Sequence, residues 1–234
     1  MSDKQTRLWL LAAASAGLVL PALVACVIIA LFWLPKPADT NAPSVSLLQQ
    51  AAQRVQAMEA DTIDARSVAG VTDRDLSVLK DLPNLRHLNL DHAAITDKGL
   101  RDVARLPSIV TLSLTQTQVT NARLAELKSL TGLEMLRLDQ SGITNAGLIH
   151  LQAFPQLRNL SLYQTSVSDA GLIHLKPLFF LERLSLDQTG VTDEGLRHLA
   201  DLANLRNLHV AGTAVTDAGI ARSQRTLPRL RVNR

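Results

Sequence analysis

Three histidines recur at a fixed interval. His150, His174 and His198 stand 24 residues apart, each in the unit Gly-Leu-x-His-Leu. Imidazole is a common ligand of zinc, copper and nickel, so this column is the first candidate for chemistry. A zinc site draws its nitrogens to about 2.0–2.1 Å from one ion. Helical segments of successive repeats lie too far apart for that, and repetition of the unit accounts for the column without a metal. Asp139 and Asp187 imitate the acidic partner of a catalytic histidine, yet no pocket is implied around them. No Gly-rich phosphate loop and no nucleophile motif occurs. Aromatic residues are 3% of the chain, too few for a base-stacking nucleic-acid platform. Residue chemistry points away from an enzyme, a metal, a cofactor and nucleic acid, and toward binding by surface.

The element that positions these residues is a repeat. Leu85, Leu88, Leu90, Ile95, Thr96, Asp97, Leu100 and Val103 become, 24 residues on, Ile109, Leu112, Leu114, Val119, Thr120, Asn121, Leu124 and Leu127. The register recurs from Leu133, Leu157, Leu181 and Leu205 without insertion or deletion. Leu88 and Leu90 alternate with Asn89 and Asp91, the period of a strand with one buried face. Leu100 and Val103 follow Thr96-Asp97, whose side chains can accept from the free N–H groups of a helix start, so a short helix is expected from about Asp97. Repeats of this length written L-x-x-L-x-L mean a leucine-rich-repeat solenoid. The fold class is α/β, with parallel strands on the concave face and short helices on the convex face.

Two further columns read as structural. Thr117, Ser141, Thr165, Thr189 and Thr213 follow the strand, and a buried hydroxyl there needs a backbone partner, expected in the next turn. Gly147, Gly171, Gly195 and Gly219 fall in the first helical turn and imply close packing. Arg123 and Lys98-Gly99 make that rule look loose at the N-terminal end.

The string VTDEGLRHL at Val191–Leu199, preceded by LSLDQTG, resembles the cysteine-containing subclass of leucine-rich repeats, best known from F-box ubiquitin-ligase adaptors. Similar Cys-poor repeats occur in bacterial proteins. The resemblance covers about Val71 to Val232 and implies the solenoid fold. As a function it implies an adaptor related to ubiquitin-ligase substrate recognition. This chain departs from it with Thr in the cysteine position and no F-box, since Pro37–Met58 is too short for one.

The chain divides into residues 1–7 as a cytoplasmic N-terminus, 8–34 as a transmembrane signal anchor, 35–43 as a linker, 44–60 as an N-terminal capping helix and 61–234 as the repeat domain. In the cap, Leu48, Ala51, Ala52, Val55 and Met58 share one helical face. The repeat domain begins with a degenerate repeat carrying Ile63 and Ala65, continues through six regular repeats, and ends where Leu227, Leu230 and Val232 imitate a last strand. Leu8–Leu34 is an uncharged run of 27 residues, and about 20 suffice to span a bilayer. Trp9 and Trp33 flank it about 36 Å apart as helix, fitting two interfacial anchors. Lys4 and Arg7 before the run outweigh Lys36 after it, which predicts repeats outside the cytoplasm. The alternative is a lipoprotein signal, Leu23-Val24-Ala25-Cys26, with Cys26 lipidated. Cys26 is the only cysteine, so no disulfide framework exists.

Strand residues facing away from the leucines supply the binding candidates. Interface hot spots favour aromatic residues and arginine. Tyr163, Arg137 and Arg183, with Met135 beside them, meet that description and form the candidate site for a protein partner. Glu134, Arg158, Glu182 and Arg206 alternate in sign across neighbouring strands and read as an internal ion-pair ladder. Gln116, Gln140, Gln164 and Gln188 read as stacked amides. Phe179-Phe180 reads either as a contact patch or as local packing. Arg222, Arg225, Arg229, Arg231 and Arg234 crowd the last 13 residues, forming either a frayed end or a site for anionic lipid or polymer. The principal expectation is a membrane-anchored, non-catalytic protein-binding module. An envelope-structural protein that uses the arginine-rich end is the alternative.

Overall fold

The computed structural model describes residues 44–234 apart from Glu59, Ser67 and Ala69. The expectations for the anchor, the linker and Cys26 lie outside those residues. Among the described residues no helix is long and apolar enough to cross a membrane.

Eight strands of three residues each form one parallel sheet in sequence order. They are β1 (Thr62–Asp64), β2 (His87–Asn89), β3 (Thr111–Ser113), β4 (Met135–Arg137), β5 (Asn159–Ser161), β6 (Arg183–Ser185), β7 (Asn207–His209) and β8 (Arg231–Asn233). From β2 to β8 the partners are 24 residues apart, as in Leu88 to Leu112 and Leu208 to Val232. The sequence period is thus the sheet register. Between strands run short α-helices: α2 (Leu100–Val103), α3 (Asn121–Leu124), α4 (Asn145–Leu148), α5 (Asp169–Leu172) and α6 (Asp193–Arg197). After α3, α4 and α5 the chain tightens into 3-10 turns.

The core is one continuous spine. Leu112, Leu136, Leu184 and Leu208 in the strands are fully buried, as are Leu124, Leu148 and Leu172 in the helices. Neighbours supply that burial, since one repeat cannot cover its own leucines.

Both ends are closed by longer helices. The N-terminal cap α1 (Ser44–Gln56) buries Leu48, Ala52 and Val55. It stops at Gln56, short of the expected residue 60. Met58 leaves the capping face, at φ +59° and 80% exposed. The degenerate first repeat is real structure: β1 pairs with β2, and Ile63 and Ala65 are buried. At the other end α7 (Asp217–Thr226) has 10 residues and precedes β8. Leu227 and Leu230 are buried beneath it. The arginine-rich end is therefore a folded cap, not a frayed terminus.

Candidate functional site: the concave face

The strand alternation sends Leu88, Leu112, Leu136, Leu160, Leu184 and Leu208 into the spine and their neighbours outward. Register places His87, Thr111, Met135, Asn159, Arg183 and Asn207 in one outward row, ending at Arg231. Asn89, Ser113, Arg137, Ser161, Ser185 and His209 form the next, ending at Asn233. A shallow bay opens across β4 to β7, and Met135, Arg137 and Arg183 line it with Asn159 and His209. Tyr163 is half-buried beyond the strand end and is not part of that lining. The structure thus brings together three of the four candidate residues.

The two arginines differ. Arg137 is 3.0 Å from Asp139, whose side chain is 4% exposed. Arg183 is exposed and, among the described residues, donates only to the Asn159 side-chain oxygen, at 3.2 Å. Asp139 itself accepts from the Ser161 hydroxyl and, at 3.0 Å, from the Tyr163 N–H. Asp91 does the same for Ser113 and the Thr115 N–H, and Asp187 accepts from the Ala211 N–H. These aspartates recur in every second repeat. They hold the sheet together rather than partner a histidine.

The convex side carries an interaction that the Thr-Asp motif concealed. Its Asp or Asn reaches forward to the next repeat, and at Asn121, Asn145, Asp169 and Asp193 it also opens its own helix. Asp169 accepts from the Thr192 N–H and hydroxyl, each at 2.7 Å. Asp73 clasps Thr96, Asp97 clasps Thr120, and Asp193 clasps Thr216 in the same way. Where the residue is Asn, as in Asn121 and Asn145, its amide donates to the Thr144 or Ser168 hydroxyl instead. The hydroxyls of Thr120 and Thr192 also cap their own helices by accepting from the Ala122 and Glu194 N–H groups. The Thr216 bonds hold the Asp193 carboxyl below the usual range, and Arg222 and Arg234 add to this.

The glycine column makes room for this clasp. A Cβ on Gly147, Gly195 or Gly219 would lie 2.3, 2.3 or 2.1 Å from an oxygen of Asn121, Asp169 or Asp193. Gly99 obeys the same rule against Asp73. Arg123 alone departs from the column.

The other columns divide. The Thr117, Ser141, Thr165, Thr189 and Thr213 hydroxyls donate three residues back, to carbonyls of their own repeat, and not to the next turn. Gln116, Gln140 and Gln164 form the stacked amides, and His92 joins them. Gln188 is not joined, yet it shares with the others a left-handed backbone, at φ +52 to +55°. Among the described residues the ion-pair ladder forms only around Arg158, which meets Glu182 at 2.7 Å and Glu134 at 3.8 Å. Its guanidinium also lies 5.8 Å from the Phe180 ring centre. His150, His174 and His198 are half-buried, and among the described residues no three His, Cys, Asp or Glu converge as a metal site would.

The terminal arginines do not make one patch. Arg222 and Arg225 lie on α7, Arg231 lies on β8 in the outward row of Arg183, and Arg234 holds Asp217 at 2.6 Å.

Comparison with known proteins follows this architecture. The family described as "Leucine Rich repeat" matches residues 81–104. No curated protein matches the sequence. The fold is similar to that of internalin C2 of Listeria monocytogenes, with TM-score 0.61 and 24% identity over 85% of this chain and 99% of that one. It is similar also to a leucine-rich-repeat protein of Leptospira interrogans, with TM-score 0.55 and 18% identity over 78% of this chain. This chain spans 51% of the Leptospira protein. At these identities the likeness is one of fold. By its register, its spine and these likenesses, the chain is a protein with the leucine-rich-repeat fold.

Proposed function

We propose that this is a membrane-anchored protein-binding module that engages its partner on the concave face without a catalytic step. The observation that carries the reading is the open bay over β4 to β7. It presents a guanidinium at Arg183 that has no ion pair among the described residues, and an apolar side chain at Met135, on the sheet. Arginine in such a position is an interface anchor. The anchor is Leu8–Leu34, with its N-terminus in the cytoplasm and the repeats outside it; a Cys26 lipid would serve the same end. Proximity crosslinking of the full-length chain tests the reading, run beside Arg183→Ala and Tyr163→Ala. A partner captured by the parent and lost from the variants supports it. Equal capture by both contradicts it.

A second reading assigns the contact to the cap, where Arg222 and Arg225 are exposed on α7. Such a surface would hold anionic lipid or polymer. Its binding would weaken steeply from low to physiological ionic strength, whereas a concave-face complex would weaken less.

A further inference from the structure

The outward rows have a sign. From β2 to β7 they hold Arg137, Arg183, His87 and His209, and neither Asp nor Glu. β8 adds Arg231 and Asn233, and the Asn233 amide lies 3.3 Å from the His209 ring, on the same face. The carboxylates nearest this surface are already engaged. Asp139 holds Arg137 and two groups of the next repeat, and Asp187 holds the Ala211 N–H. At β1, Asp64 is gripped by Arg66, and that bond lowers its pKa. Arg183 and Arg231 remain as guanidiniums without an ion pair among the described residues.

Building on the concave-face reading, we infer that the partner presents an acidic, extended peptide segment running across the strands. The spacing follows from the sheet. Arg183 on β6 and Arg231 on β8 share one row two strands apart, about 10 Å. An extended peptide in the polyproline II conformation rises about 3.1 Å per residue with three residues per turn, so carboxylates three residues apart share one face and meet both guanidiniums. Charge complementarity selects an acidic partner and disfavours a basic one.

The test uses the full-length chain in a mild non-ionic detergent at low ionic strength, with fluorescence anisotropy as readout. The probe is labelled Glu-Ser-Ser-Glu-Ser-Ser-Glu. The control is the isomer Ser-Ser-Glu-Glu-Glu-Ser-Ser. The spaced probe is expected to bind more tightly than the isomer. Arg183→Glu and Arg231→Glu are each expected to weaken it about tenfold or more, and the double variant Arg222→Glu, Arg225→Glu on the cap helix to leave it unchanged. Arg137 is left intact because its loss would uncover buried Asp139. Thermal unfolding confirms that the variants remain folded. Equal binding of both peptides overturns the inference, as does binding that Arg183→Glu leaves intact or that the cap variant abolishes. A photocrosslinker at Asn159 separates this from the wider reading. Capture of a protein there without binding of the spaced probe retires the acidic segment and leaves the concave face as the contact. Failure of both retires both.

Discussion

At the scale of residues, the clasp between repeats governs which substitutions matter. Gly195→Ala forces a methyl to within 2.3 Å of the Asp169 carboxylate. Overpacking of this kind costs about 1–3 kcal/mol, and denaturant unfolding would show it as a lower midpoint. Asp193 gives a pH prediction. Its pKa is lowered in the folded chain, so in the acid range the unfolded chain binds more protons. Stability from this group is complete above the ordinary aspartate value of about 3.9. It is lost as pH falls through the lower, folded value. Asn already fills this position at 121 and 145 with its clasp formed. Asp193→Asn should therefore keep neutral stability and flatten the acid limb of the melting temperature against pH. An unchanged acid limb would contradict that.

At the scale of elements, legibility in the sequence followed whether a signal was local. Period two and the 24-residue interval carried strand, register and spine, because burial of Leu112 or Leu136 repeats identically. The clasp was hidden because Thr-Asp already had a sufficient local meaning as a helix start. What could have exposed it was Gly147, Gly171, Gly195 and Gly219 at the same interval, since glycine in a helix costs about 1 kcal/mol relative to Ala and implies a close neighbour. The left-handed backbone at Gln116, Gln140, Gln164 and Gln188 was not readable from glutamine, which has no preference for it. Gly212, at φ +67°, and His92, at φ +63°, were the residues in the same column that pointed to it. Arg137 and Arg183 looked alike in sequence, yet Asp139 holds only the first. Arg137→Ala should destabilise the sheet by about 1–3 kcal/mol, because it removes a charged partner from a buried carboxylate. Arg183→Ala should stay within about 0.5 kcal/mol of the parent. Equal midpoints for the two would show that the Asp139 contact carries no stability.

At the scale of the whole molecule, a solenoid is stable only as the sum of its repeats and their junctions. The caps complete that sum, since α7, Leu227 and Leu230 cover the last repeat. Leu230→Ala is expected to cost about 2 kcal/mol or more and to expose apolar surface at one end. Increased dye binding or self-association before global unfolding would report this. The two faces then have separate roles: the convex side is taken up by the Thr-Asp clasps, and the concave side keeps an open bay over β4 to β7. The most direct test of that division is a photoreactive residue placed at Asn159 on the concave face, compared with one at Arg197 on the convex face, in the full-length chain. The account predicts a discrete protein adduct from position 159 and none from 197. An adduct from 197 alone would contradict it and place the contact surface on the helices.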